Sequence, residues 1–252
     1  MANKIGLFIP CYIDQYYPNV AIATLEILEQ LNYDVFYNPT STCCGQPFAN
    51  SGLEDESVPY LRKFSESYDQ VDLVIVPSGS CVLHIHERIH RVKELDRKTD
   101  WSKKVLELSD FLNLYHLNYI SDLKLNKKLG IIQSCHGLRG LNTGQSSEYG
   151  KKNSGAMINI LKKIEGLQVI DIERPDECCG FGGTFSVNEP HISVAMGMDR
   201  LHYYKEAGCD LVTGTDISCM MHLQGLADKN NLAMKFVHFS ELLVAARKPE
   251  SL

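Results

Sequence analysis

Short apolar runs alternate along this chain with longer stretches of helical periodicity. Lys4 to Pro10 is apolar and ends at Cys11, which predicts a buried strand. Pro18-Asn19 then opens a helix whose apolar stripe is Val20, Leu25, Ile27, Leu28 and Leu31. Asp34 to Tyr37 predicts a second strand, stopped by Asn38-Pro39. The loop Cys43-Cys44-Gly45 follows, then a polar helix over about Asp55 to Tyr68. Val71 to Val76 is continuous and apolar, as befits a parallel strand covered on both faces. It runs into Pro77-Ser78-Gly79-Ser80-Cys81, where a further helix is predicted to start.

The same order then returns. Lys128 to Gln133 predicts a strand ending at Ser134-Cys135, and about Ser154 to Ile164 predicts a helix. Val169 to Ile172 predicts a strand leading to Cys178-Cys179-Gly180. Ile192 to Glu206 reads as a helix, Asp210 to Thr213 as a strand, and Cys219 opens another helix. Leu108-Ser109-Asp110-Phe111-Leu112 near the end of one half matches Phe239-Ser240-Glu241-Leu242-Leu243 in the other. A repeat on this scale makes the chain a duplication. Residues 1–118 and 127–252 are expected to be the two copies. The join, near Asn113 to Asn126, is polar with aromatics and lacks a flexible linker's composition. Strands alternating with helices predict parallel sheets with right-handed crossovers. The expected fold is therefore α/β, with two tandem duplicated lobes packed as one body.

Composition narrows the function. The chain has 252 residues, 44% hydrophobic and 22% charged, which is ordinary for a globular protein. Lys and Arg number 25 against 31 Asp and Glu, a net charge of −6. That balance lacks the basic footprint of a nucleic-acid binder. No apolar run approaches the ~20 residues of a membrane span. Ile5 to Pro10 is too short for the core of a signal peptide. The chain is thus expected in the cytoplasm, where thiols stay reduced. Its nine cysteines then point to metal or redox chemistry rather than to disulfides.

In parallel α/β sheets, ligands sit beyond the carboxyl ends of the strands. Cys11 and Cys81 fall at such ends, and Cys43 and Cys44 lie in the loop after the second strand. Cys135, Cys219, Cys178 and Cys179 repeat the arrangement. Each lobe is therefore expected to end in its own cysteine-lined pocket. Adjacent residues on a regular strand face opposite ways. Both sulfurs of a Cys-Cys pair reach one site only where the backbone turns sharply, which a following glycine allows. Four thiolates suit an iron–sulfur cluster or a zinc ion. Helices starting at Cys81 and Cys219 would aim N–H groups at such a negative centre. A buried free cysteine is otherwise a small hydrophobe. That reading fits Cys209, which aligns with Val71, and leaves eight ligand candidates.

Two copies of Cys, then Cys-Cys-Gly, then Cys resemble the cysteine-rich domain of the heterodisulfide reductases. The same domain occurs in the iron–sulfur subunit of glycolate oxidase. With its length and the string Cys178-Cys179-Gly180-Phe181-Gly182-Gly183-Thr184-Phe185-Ser186, nearly the whole chain is similar to the lactate utilization protein A family. The resemblance implies an iron–sulfur electron-transfer subunit of a system oxidising L-lactate to pyruvate, or a similar 2-hydroxy acid to its 2-oxo acid. It implies one or two [4Fe–4S]-type clusters, on Cys11, Cys43, Cys44 and Cys81 and on Cys135, Cys178, Cys179 and Cys219. It implies two partners, a ferredoxin-type iron–sulfur subunit and a small companion protein, so that the oxidoreductase is the complex and not this chain alone. The heterodisulfide reductase pattern ends in Cys-x-x-Cys, whereas here His84 and His222 hold the last position. Both histidines are therefore candidate ligands, and imidazole on iron raises the potential. The other reading makes them hydrogen-bond donors to sulfur or packed helix residues. Two alternatives stay open: a thiol/disulfide redox subunit, and a zinc-binding assembly module.

Other motifs weigh less. His86-Glu87-Arg88-Ile89-His90 fits the zinc-protease pattern His-Glu-x-x-His. Its counterparts in the second half are Gln224 and Asp228, and Glu107 is the one downstream acid considered as a third ligand. It is read as a polar helix face. Gly180-Phe181-Gly182-Gly183 lacks the third glycine of a dinucleotide loop. Gly137-Leu138-Arg139-Gly140 is read as a plain loop, the alternative being that His136 and Arg139 meet an anion or a partner at the cluster edge. Lys127-Lys128 and Lys151-Lys152 read as solvated surface. No catalytic residue is identified.

Overall fold

The structure, a computed structural model, describes residues 4–95, 99–141, 144 and 155–248. Ser154 and the Lys151-Lys152 pair lie outside these residues. The first lobe runs β1 (Lys4–Leu7), α1 (Cys11–Tyr16), α2 (Pro18–Gln30), β2 (Asp34–Tyr37), α3 (Gln46–Asn50) and α4 (Glu54–Ser67). It continues with β3 (Leu73–Val76), α5 (Gly79–Arg88), α6 (Trp101–Lys104), β4 (Val105–Glu107) and α7 (Leu108–Tyr115). The second runs β5 (Lys128–Ile131), α8 (Cys135–Arg139), α9 (Ala156–Leu161), β6 (Gln168–Val169), α10 (Phe185–Asn188) and α11 (Pro190–Glu206). It ends with β7 (Leu211–Gly214), α12 (Ile217–Lys229), β8 (Lys235–His238) and α13 (Phe239–Arg247).

Each lobe carries one four-stranded sheet, ordered β2-β1-β3-β4 and β6-β5-β7-β8. Every described strand pairing is parallel. The chain is thus α/β with two lobes of the same strand order. The registers match as well: Ile5 pairs with Leu73 as Leu129 pairs with Leu211. Asp72 Oδ2 accepts from the Lys4 backbone N–H at 3.1 Å, and Asp210 Oδ2 accepts from Lys128 N–H at 2.8 Å.

The apolar pattern does not reveal β4 or β8. β4 has only three residues, and β8 carries one apolar pair between Lys235 and His238. Such short runs do not stand out by period and form because a buried neighbour, β3 or β7, offers them a free edge. The strand expected over Val169 to Ile172 is shorter, at Gln168–Val169.

One apolar core crosses between the lobes. Helix α2 packs on α13, and α9 packs on α7. Each pair joins an early helix of one lobe to the closing helix of the other. Ile27, Leu28, Phe111 and Leu112 thereby share a core with Ile160, Leu161, Leu242 and Leu243, all fully buried. Ser240 Oγ donates to the Val20 carbonyl at 3.2 Å across this seam. A second core of Phe8, Leu61, Phe64, Tyr68 and Trp101 fills the other side of the first sheet.

Candidate metal centre

The strands end where the sequence places the thiols. Cys11 and Cys135 are the first residues of α1 and α8, directly beyond β1 and β5. Cys81 and Cys219 are the third residues of α5 and α12, beyond β3 and β7. Those helices start two residues before the cysteines rather than at them. The extra half-turn lets a residue three positions before each cysteine occupy the helix cap, Ser78 in one lobe and Asp216 in the other.

The structure differs from expectation in how the sites are arranged. The sequence predicts separate pockets, one per lobe. Instead, Cys11, Cys43, Cys44, Cys81, Cys135, Cys178, Cys179 and Cys219 all line one cavity of about 290 Å³ between the lobes. The reason is the cross-lobe helix packing, which turns the carboxyl ends of both sheets toward each other. Tyr12 of the first lobe meets Phe181 of the second edge-on, with ring centroids 6.0 Å apart. Gln46 Nε2 lies 3.1 Å from His136 Nε2 across the same seam.

Each Cys-Cys pair sits on a sharp turn. Gly45 and Gly180 have φ of 91° and 89°, in the left-handed region that favours glycine. Each donates its N–H to the sulfur two residues back, Cys43 or Cys178, at 3.4 Å. The turn also presses on a helix. A Cβ on Gly45 would lie 3.0 Å from the Ser57 carbonyl oxygen, and one on Gly180 only 2.5 Å from that of Ser193.

The sulfurs gather in pairs. Cys11 Sγ is 3.7 Å from Cys43 Sγ, and Cys44 Sγ is 3.3 Å from Cys81 Sγ. Among the described residues, no three His, Cys, Asp or Glu side chains are gathered closely enough to clasp a single ion. Hydrogen bonds from Cys11 and Cys44, helped by the Gly45 N–H, pull the Cys43 thiol down to about 3. Cys135 and Cys179, with the Gly180 N–H and the Arg139 charge, pull Cys178 down to about 2. The donors Cys11, Cys44, Cys135 and Cys179 are pushed up, first by the same hydrogen bonds and then by burial. In each quartet the sulfur that faces its neighbours' thiols, Cys43 or Cys178, is thus the one drawn toward the thiolate form. A thiolate is the form that binds metal.

Neither candidate histidine lines the cavity. His84 is 5% exposed, and burial, with the nearby Arg88 charge, lowers its imidazole to about 4. His222 is half-buried, with Nε2 3.5 Å from Ser193 Oγ, and lines a separate groove with Phe181 and Pro190. The His-Glu-x-x-His string is broken by the fold. Helix α5 stops at Arg88, and His90 lies in a 3-10 turn over Ile89–Arg91. His86 Nε2 is 2.8 Å from the Val105 carbonyl oxygen, and Glu107 caps Ser109. Cys209 lies outside the cavity, packed where a Cβ on Gly130 would stand 3.0 Å from its sulfur. In the first lobe, a Cβ on Gly6 would meet Val71 in the same way, at 3.1 Å.

Sequence reasoning missed Asp216, the one carboxylate lining the cavity among the described residues. The signal was present, because Asp216 precedes Cys219 by the same three residues that separate Ser78 from Cys81. That spacing is a helix-cap spacing.

A duplicated parallel sheet with paired Cys-Cys-Gly turns defines a class of two-lobed, cysteine-rich α/β proteins. A family model described as "Cysteine-rich domain" matches residues 5–86 and 130–224, one match per lobe. Lactate utilization protein A 1 of Bacillus mycoides is 32% identical over 252 residues, covering 97% of this chain and 98% of that protein. Lactate utilization protein A of Halalkalibacterium halodurans is 34% identical, covering 95% and 96%. The protein of that name from Bacillus subtilis is 30% identical, covering 95% and 98%. This chain belongs to the lactate utilization protein A family. Among solved structures, a hypothetical protein from Helicobacter pylori superposes with a TM-score of 0.64 at 12% identity. It covers 97% of this chain, which spans about half (49%) of that one, and it speaks to the fold alone.

Proposed function

We propose that this chain is the cysteine-rich iron–sulfur subunit of a cytoplasmic system that oxidises L-lactate or a similar 2-hydroxy acid. The observation that carries the reading is the cavity shared by eight thiols. Its residues suit an anionic metal–sulfur cofactor on chemical grounds. The donors are thiols, Cys43 and Cys178 are drawn toward the thiolate form, and backbone N–H groups of Gly45 and Gly180 point at sulfur. Cys11, Cys43, Cys44 and Cys81 would hold one [4Fe–4S]-type cluster, and Cys135, Cys178, Cys179 and Cys219 another. Such clusters supply one-electron transfer over a wide range of potential. The repeats, residues 1–118 and 127–252, would each carry one. The names of the relatives support lactate as the electron source. A ferredoxin-type iron–sulfur subunit and a small companion protein would complete the system, and this chain alone would not turn over.

The test is anaerobic reconstitution with iron and sulfide, followed by metal and sulfide counts and electron paramagnetic resonance. Cys178→Ser and Cys43→Ser should each remove about half the iron and sulfide. A wild-type chain that retains neither iron nor inorganic sulfide overturns the reading. Stoichiometric zinc without visible absorption would favour the assembly-module reading instead. The 3.3 Å approach of Cys44 and Cys81 favours one further reading, direct thiol/disulfide chemistry. Rapid, reversible loss of two thiols per chain on treatment with a disulfide, without iron bound, would support it.

A further inference from the structure

The two cysteine quartets come from different lobes, yet one residue belongs to both. Asp216 occupies the cap position of α12, the helix that carries Cys219, but its side chain makes no cap bond to that helix. Its Oδ1 instead accepts from the Ser78 hydroxyl at 3.1 Å and from the Ser80 backbone N–H at 2.9 Å. Both donors lie at the start of α5, the first-lobe helix that carries Cys81. Ser78 meanwhile caps its own helix, accepting from Cys81 N–H at 3.4 Å. Asp216 is 3% exposed, and its Oδ2 has no hydrogen-bond partner among the described residues. It also belongs to the second quartet by position, lining the shared cavity three residues before Cys219. In the first lobe the corresponding residue is the neutral Ser78.

We propose that Asp216 is a positioning residue that couples the two cysteine sites, capping the helix of the first-lobe quartet from within the second lobe. This inference rests on the electron-transfer reading above. The physical argument is direct. A helix N-terminus presents partial positive charge and unpaired N–H groups. Asp216 satisfies one of those of α5, the Ser80 N–H, with a carboxylate that lines the cavity shared by both quartets. Its negative charge therefore opposes addition of an electron at either site. It also makes the start of α5 depend on where the second lobe holds Asp216.

The experiment uses the full chain, reconstituted anaerobically, with one quartet disabled at a time. In a chain carrying Cys178→Ser and Cys179→Ser, only the first-lobe centre remains. There, Asp216→Asn is expected to raise the reduced-to-oxidised ratio of that centre at fixed potential at least tenfold, equal to 59 mV for a one-electron couple. Asp216→Ser, which installs the first lobe's own residue type, should shift it in the same direction. In a chain carrying Cys43→Ser and Cys44→Ser, both variants should shift the second-lobe centre likewise. The exposed Asp228→Asn, on the same helix, should leave both centres within twofold. A first-lobe ratio within twofold of the parent in both Asp216 variants, with iron and sulfide bound, overturns the inference and leaves the electron-transfer reading standing. Loss of first-lobe iron with unchanged circular dichroism supports it, because the second-lobe residue then governs the first site. Loss of iron together with unfolding in both variants overturns it. A parent chain that binds no iron or sulfide overturns both.

Discussion

Two tyrosines show how the lobes were kept alike and where they parted. Tyr68 donates its hydroxyl to the Leu7 carbonyl at 2.9 Å, and Tyr204 donates to that of Ile131 at 3.0 Å. Each carbonyl ends the strand that leads to the first cysteine of its lobe. Four residues before Tyr68 stands Phe64, packed edge-on against Phe8. Four before Tyr204 stands Arg200, 1% exposed, whose guanidinium donates to Tyr204 Oη at 2.6 Å and to the Arg174 carbonyl at 2.6 Å. Arg174 lies on the loop that carries Cys178. One lobe thus fixes its cysteine loop beside an aromatic core, and the other ties it down with a buried cation. The parts that aim the thiols were kept, and the buried positions around them diverged, because many fillings satisfy the same backbone.

The Cys-Cys-Gly turns give the largest effect. Gly180→Ala forces a side chain into the left-handed region and drives its Cβ to 2.5 Å from a backbone oxygen of α11. It should cost about 3 kcal/mol and remove second-lobe iron. Gly45→Ala meets its neighbour at 3.0 Å and should cost about 2 kcal/mol. Urea midpoints and iron counts per chain measure both. Equal losses at the two turns would break the expected ranking.

Arg200→Met should cost about 2–3 kcal/mol, since it strips a donor from the Arg174 carbonyl and from Tyr204. Phe64→Met, a near-conservation of volume, should cost about 1 kcal/mol. The second-lobe iron should fall with the first variant, and neither lobe's iron should change with the second. If Phe64→Met proves as damaging as Arg200→Met, the buried cation carries no special role.

The closing helices sharpen the contrast through pH. Glu107 caps α7 and His238 caps α13 at matching positions, each accepting from the N–H two residues on. Burial, then the Asp110 charge, raises Glu107 to about 8, and burial lowers His238 to about 4. Between its unfolded value of 4.5 and about 8, Glu107 binds more proton folded than unfolded, so stability falls as pH rises. Between about 4 and 6.5, His238 binds less proton folded, so stability rises with pH. Glu107→Gln should therefore gain on the parent as pH climbs, by up to about 1.4 kcal/mol per pH unit. His238→Asn should lose ground over its own window. Unfolding curves from pH 4 to 8 read both slopes, and slopes of the same sign would refute the assignment.

Much of this is legible in the residues alone. The thiols announce themselves because the repeat doubles a rare arrangement, and β1, β2, β3, β5 and β7 follow from apolar runs bounded by turn residues. The single cavity is not legible, because it depends on α2 meeting α13 and α9 meeting α7. Those are contacts between faces, and the apolar stripe of α2 does not say which helix will cover it. Glu107 and Asp216 are hidden for a related reason. Their partners are serine hydroxyls and backbone N–H groups, and in the case of Asp216 they belong to the other lobe, more than a hundred residues away in sequence.

The smallest effect tests the reading of the ninth cysteine. Cys209 packs beside Gly130 and Tyr204 as Val71 packs beside Gly6 and Tyr68. Burial, followed by the Asp210 charge, raises its thiol to about 11, so it stays protonated and inert at neutral pH. Cys209→Val transfers the first lobe's solution into the second. Because a valine already fills the matching space, the change should alter stability by less than about 1 kcal/mol and leave iron and sulfide unchanged. Cys179→Val, the same exchange at a buried thiol of the cavity, should instead abolish second-lobe iron. A loss of iron in Cys209→Val comparable to that in Cys179→Val would mean that the ninth thiol serves the site, and that the division into eight and one is wrong.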